Sequence, residues 1–134
     1  MFQHEVQVRV RYGETDQMGY VYYGNYPLYY EVARVECFRA FGMPYRELEE
    51  TGVMMPVLEN RSQYLKPATY DELLTIKVSI PEMPSVRITF LCDIYNEAGE
   101  LIHKGETKLV FIKSDSRRPT RMPERMQQLL EPFF

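Results

Sequence analysis

The segment Asn25-Tyr-Pro-Leu-Tyr-Tyr-Glu-Val-Ala-Arg-Val-Glu-Cys-Phe-Arg-Ala-Phe41 sets the architecture of this chain. Tyr26, Tyr30, Ala33, Cys37, Ala40 and Phe41 recur at helical spacing and form one apolar stripe. Leu28, Tyr29, Val32, Val35 and Phe38 widen that stripe to most of the circumference, and only Glu31, Arg34, Glu36 and Arg39 interrupt it. A helix this apolar has to be covered on several sides. Pro27 is tolerated in the first turn, where its missing N–H has no intrahelical partner. Gly42 supplies the C-terminal stop. Pro44–Glu50 reads as a further short helical turn, ended by Gly52.

Outward from the helix the pattern changes to strands. Before it, Glu5–Arg11 places Val6, Val8 and Val10 on one face and Gln7, Arg9 and Arg11 on the other. After it come a long strand at Val53–Leu65, with Pro56 near its start, and an alternating strand at Glu72–Ile80. Val86–Tyr95 and Leu101–Ile112 follow. Asn96-Glu-Ala-Gly99 gives the last pair a hairpin turn, and Pro81–Ser85 joins another pair. Pro123–Glu131 forms a short terminal helix. The order is strand, long helix, then four strands with hairpin-type links. It predicts an α+β fold in which an antiparallel sheet curls around the helix. Five strands leave free edges, which a homodimer can pair.

The 134 residues fit one domain, 1–134, that buries about 65–70% of the unfolded chain's surface without disulfides or a structural metal. The net charge is −3 and basic residues form no run, which disfavours nucleic-acid binding by counterion release. Cys37 and Cys92 sit inside apolar runs and read as small buried hydrophobes. No stretch approaches the length of a membrane span, and the N-terminus lacks the pattern of a signal peptide. A reduced, cytoplasmic compartment is the expectation.

His4 and His103 are the only histidines, and neither has a suitable neighbour for a Ser-His-Asp or Cys-His device. Metal-ligand spacings and glycine-rich phosphate loops are absent, so no metal and no separate cofactor is expected. What remains is the loop Tyr12–Asn25, which joins the first strand to the apolar helix. It carries Glu14 and Asp16 together with Gly13, Gly19 and Gly24. The helix start adds unpaired N–H groups and the positive end of a dipole. A carboxylate facing such a terminus makes a workable hydrolytic site. The N–H groups hold a carbonyl oxygen as it gains charge, and the carboxylate activates water or attacks directly. An Asx-turn or capping role for Asp16 stands beside this reading. Glu14 reads as a solvated or salt-bridged residue, and the tyrosines at 22, 23, 26, 29 and 30 as packing.

The run Arg9-Val-Arg-Tyr-Gly-Glu-Thr-Asp16-Gln-Met-Gly19-Tyr-Val-Tyr-Tyr23-Gly-Asn25-Tyr26, followed by Tyr30-Glu31-Val-Ala33-Arg34, closely resembles the 4-hydroxybenzoyl-CoA thioesterase family of hotdog-fold proteins. The likeness extends weakly through Tyr64-Leu-Lys-Pro-Ala-Thr-Tyr-Asp71-Glu72-Leu and the last two strands. The resemblance implies a hotdog fold, a five-stranded antiparallel sheet wrapped around one long central helix. It implies a homodimer, commonly doubled to a homotetramer, with the active site at the subunit interface. By motif position Asp16 resembles the catalytic aspartate, as nucleophile or general base. Tyr23 resembles the helix-start position whose backbone N–H polarises the thioester carbonyl; many relatives carry His there. Gly19, Val21, Gly24 and Asn25 are the expected substrate-binding residues of the same segment.

The implied substrate is an acyl-CoA of small to medium acyl group, coenzyme A being part of the substrate. The phosphate-binding hairpin of the CoA-binding archetype is basic, whereas the matching Pro81-Glu-Met-Pro-Ser85 is not. Arg87, Arg61, Lys66 or the Arg117–Arg118 pair are the substitutes at hand. An acyl-ACP thioesterase and a non-catalytic acyl-binding hotdog protein are the alternatives. The missing histidine in the active-site segment argues against a hotdog dehydratase.

Overall fold

In the computed structural model, which describes Met1–Phe134, the elements run β1 (Phe2–Arg9), α1 (Tyr26–Phe41), α2 (Tyr45–Glu50), β2 (Val53–Met54), β3 (Val57–Tyr64), β4 (Leu73–Ile80), β5 (Arg87–Tyr95), β6 (Leu101–Val110), β7 (Ile112–Lys113) and α3 (Glu124–Leu130). Single 3-10 turns occupy Tyr12–Glu14, Tyr23–Asn25 and Glu131–Phe133. The main sheet has the order β1-β4-β5-β6-β3, with every neighbouring pair antiparallel. It is the predicted five-stranded hotdog arrangement, with α1 packed on one face across β1, β4 and β5.

The apolar alternation of the strands is what holds the helix. Leu74, Ile76, Val78 and Ile80 of β4 and Ile88, Phe90, Cys92 and Ile94 of β5 point inward and are buried. Against them α1 buries Tyr26, Tyr29, Tyr30, Ala33, Cys37, Phe38 and Phe41. Gly42 closes the helix with φ +102, and the N–H groups of Gly42 and Met43 both return to the Phe38 carbonyl at 3.2 and 3.0 Å. Four residues depart from the expected apolar face. Ala40 is exposed, and Arg34 is buried beside Tyr45. An arginine can lay its aliphatic stem along apolar surface, which a formal charge conceals. Leu28 and Val32 remain exposed, so the sheet of one chain covers the helix on fewer sides than its composition demands.

The long strand expected at Val53–Leu65 is two strands. Pro56 offers no N–H to a ladder. β2 therefore pairs separately with β7, and β3 joins β6 only from Val57, with a register shift between Val57 and Glu59. Leu101–Ile112 divides in the same way into β6 and β7. Asn96–Gly99 forms the hairpin turn, with Gly99 at φ +80.

One contact fixes how the helix sits on the sheet. Gly105 of β6 has no side chain, and the Tyr30 ring of α1 fills the space that a Cβ there would occupy. The Tyr30 hydroxyl thereby reaches His103 Nε2, and it lies 2.6 Å from Ser62 Oγ of β3. His103 is fully buried, and the Tyr26 ring stacks on it at 3.8 Å and 4°. Burial pushes the imidazole down to about 4, so it is neutral near pH 7.

Two outcomes follow for stability. Gly105→Ala places a methyl group against the Tyr30 ring and should cost about 1–3 kcal/mol in urea unfolding with the denaturant slope unchanged. Between pH 6.5 and about 4 the unfolded chain binds a proton at His103 that the folded chain refuses. Stability should therefore fall as pH drops through that window, by at most about 3 kcal/mol. His103→Gln should remove that part of the slope; an identical pH profile in the variant would refute the assignment.

Candidate active site

Glu14 anchors the loop that carries the candidate carboxylate. Its Oε1 accepts the Arg11 backbone N–H at 2.9 Å and the Tyr29 hydroxyl at 2.8 Å, while its Oε2 meets the Arg11 guanidinium at 3.2 Å. Burial pushes this carboxyl upward, but the Arg11 N–H, the Tyr29 hydroxyl and the Arg11 charge more than offset it, so its pKa is lowered. The Glu14 carbonyl also accepts the Tyr22 N–H at 2.9 Å. Glu14 thus ties the end of β1, the loop and α1 together, in keeping with its reading as a salt-bridged residue.

Inside that clamp the chain folds back on itself. Thr15 bridges Val21, and the Asp16 N–H donates to the Tyr20 carbonyl at 2.8 Å. Gly19 takes φ +80 and returns its N–H to the Asp16 carbonyl at 3.0 Å. That left-handed angle is why glycine stands there. Asp16 Oδ1 accepts the N–H groups of Met18 and Tyr20 at 2.9 and 3.2 Å. Both bonds fall on one oxygen, which fixes the carboxylate and leaves Oδ2 without a protein donor. The Asx-turn is therefore real, and it coexists with a free carboxylate oxygen. The Val21 N–H donates to the Ala68 carbonyl at 2.8 Å, which fastens the loop to the chain leaving β3.

A cleft of about 320 Å³ opens where these segments meet. Asp16, Tyr20, Val21, Tyr23, Tyr26, Tyr64, Leu65, Lys66 and Pro67 line it. Three of the expected site residues, Asp16, Val21 and Tyr23, are thus brought together. Gly19, Gly24 and Asn25 are not in the cleft wall. Gly19 serves the turn, Asn25 precedes α1 with its amide nitrogen buried and unpaired, and a Cβ on Gly24 would meet the Tyr22 ring at 2.6 Å. Tyr23 and Gly24 open the 3-10 turn, where no intrahelical acceptor precedes their N–H groups. Asn25 N–H returns to the Tyr22 carbonyl at 2.8 Å.

Tyr64, Leu65 and Pro67 also line the cleft without being among the expected site residues, beside Lys66, one of the candidate phosphate partners. They belong to the weakly matching run Tyr64–Leu73, whose position beside the loop only the strand pairing reveals. Tyr26 packs in the core, as expected, and also lines the cleft. A larger concavity of about 570 Å³ lies along β1 and β4, but its walls are mostly polar side chains such as Glu5, Gln7, Arg9 and Lys77, and Asp16 is not among them. Titratable groups form no cluster suited to a metal. No helix is long and apolar enough to cross a membrane.

A five-stranded antiparallel sheet wrapped on one long helix is the hotdog arrangement. The chain belongs to the thioesterase-like superfamily, whose family model it matches over residues 10–130. It is 34% identical over 113 residues to a putative acyl-CoA thioesterase, YneP, of Bacillus subtilis (strain 168), covering 84% of this chain and 82% of the relative. Its structure resembles that of a DHNA-CoA thioesterase from Staphylococcus aureus with TM-score 0.91 and 32% identity, over 99% of this chain and 89% of the other. A 4-hydroxybenzoyl-CoA thioesterase in complex with 4-hydroxybenzoyl-CoA shares the fold, with TM-score 0.85 and 22% identity over 96% of this chain and 99% of the other. The family resemblance read from Arg9–Arg34 and the hotdog fold are both borne out.

Proposed function

We propose that this thioesterase hydrolyses acyl-CoA thioesters of small to medium acyl group, with Asp16 as its catalytic carboxylate and the start of α1 as its oxyanion site. The observation that carries the reading is the single cleft shared by Asp16 and Tyr23. A thioester carbonyl placed there gains negative charge on oxygen as the tetrahedral state forms. The N–H groups at Tyr23 and Gly24 and the helix dipole favour that charge. Asp16 either removes a proton from an attacking water or attacks the carbonyl carbon to give an anhydride that water then opens. In both routes the C–S bond breaks and the electron pair leaves on sulfur.

Because the N–H at position 23 belongs to the backbone, tyrosine in place of histidine leaves the oxyanion role intact. Of the basic residues considered for the CoA phosphates, Lys66 alone lines the cleft, where it pairs with Glu100. Cys37 and Cys92 are free, buried thiols that burial pushes up to about 12, which suits a reduced, cytoplasmic setting.

The reading includes a homodimer. Leu28 and Val32 of α1 and Leu58 of β3 are exposed, and β3 ends the sheet with its outer edge unpaired. A second copy paired edge to edge through β3 would cover both features and bring two clefts to one interface.

Asp16→Asn should lower kcat on an acyl-CoA panel by about 10²–10⁴-fold, read as thiol release, while the fold and melting temperature persist. Wild-type turnover in the variant would refute the carboxylate's role, and turnover of acyl-ACP alone would refute the carrier. Light scattering should give a dimer or a dimer of dimers at micromolar concentration; a monomer there would remove the shared interface.

A further inference from the structure

We propose that Tyr64 is a positioning residue for hydrolysis, its hydroxyl tethering the peptide at the start of α1 that receives the substrate carbonyl. The inference rests on the thioesterase reading above and assigns to that site a part no motif residue supplies.

Two ends of Tyr64 carry the argument. Its hydroxyl donates to the Tyr23 carbonyl oxygen at 3.2 Å, across the cleft that both residues line. Its ring is held from behind. Tyr64 closes β3 directly opposite His103 of β6, and its ring packs edge-on against His103 at 4.9 Å and 74°. It meets Tyr26 in the same manner at 5.6 Å and 78°. His103 in turn is fully buried and bonded to the Tyr30 hydroxyl. The tether therefore starts from a packed base, although the outer part of Tyr64 is exposed.

The Tyr23 carbonyl shares a planar trans peptide with the Gly24 N–H. Holding the oxygen on one edge fixes the direction of the N–H on the other. It also limits rotation about the Tyr23 Cα, and so constrains the Tyr23 N–H one plane earlier. These two donors lie at the head of a 3-10 turn, with no preceding turn to hold them. A donor aimed in advance contributes most to stabilising developing charge, because little reorganisation is needed during reaction. Tyr64 thus acts through the backbone of residues 23–24 and need not touch the reacting atoms.

Tyr64→Phe keeps the ring contacts and removes only the hydroxyl. In wild type and variant, kcat and KM on a short acyl-CoA panel, amide hydrogen exchange of the Tyr20–Asn25 segment, and melting temperature would be measured. The expected result is a kcat lower by about 3–10-fold, the scale of one neutral hydrogen bond. KM should stay within about 2-fold, exchange at Tyr22 and Asn25, whose N–H groups are bonded on either side of the tethered peptide, should quicken, and melting should hardly change. Unchanged kcat overturns the proposal. So does a lower kcat with unchanged exchange, which would put the hydroxyl on the substrate itself, or a large fall in melting temperature, which would make the role structural. A wild type inactive on every thioester overturns the hydrolase reading instead, a result visible before any variant is made.

Discussion

The meeting of Tyr30 with the bare backbone at Gly105 is the contact on which the rest of the structure depends. A helix lying on a sheet can slide and rotate among several packings of similar buried area, because apolar burial is non-directional. Inserting one large ring where the sheet has no side chain removes that freedom. The Tyr30 hydroxyl then finds His103 and Ser62, so the insertion buries no unpaired hydroxyl. One turn earlier on the same helix, Tyr26 stacks on His103, and Tyr23 lies three residues before that. The position of the helix start, and with it the cleft, descends from a contact in the core.

The loop that carries Asp16 shows why a structural and a chemical role need not compete. Two backbone N–H groups bonded to Oδ1 make an ordinary Asx-turn. The same bonds hold the carboxylate still, and a fixed group loses less entropy when it meets a substrate. Glu14 has no such reserve. Both of its oxygens are occupied by Arg11, and one also by Tyr29, so it braces the loop. Two acidic residues two positions apart are separated in role by how many of their lone pairs the protein already uses.

Much of this was legible in the order of residues. The 3.6-residue periodicity of Tyr26–Phe41, the alternation in the strands, and the stops at Gly42 and Gly99 each report a local preference, and local preferences survive in the fold. What was not legible depended on contacts remote in the chain. Arg34 counted as a charge because nothing nearby shows that its stem has apolar surface to lie on. The break at Pro56 was signalled by the missing N–H, but its consequence depends on β7, which lies more than fifty residues away. The Asp16–Tyr23 half of the cleft lies in one continuous motif and could be read. The Tyr64–Pro67 half comes from a strand that pairs with β6, and no spacing in the sequence expresses that pairing.

The chemistry proposed for the cleft agrees with what its walls lack. His103 is the one histidine near it, and that ring is buried beneath Tyr26, neutral near pH 7, and engaged with Tyr30. It does not line the cleft. A thioester does not need a proton passed to its leaving group. A thiol pKa of about 8.5 makes sulfur a competent leaving atom near neutral pH, whereas an alkoxide or amine would need an acid. A cleft furnished with a fixed carboxylate and backbone donors, and with no histidine in its wall, suits thioesters, whose sulfur leaves without the help of an acid. The substrate class follows from the leaving group as much as from the shape of the acyl pocket.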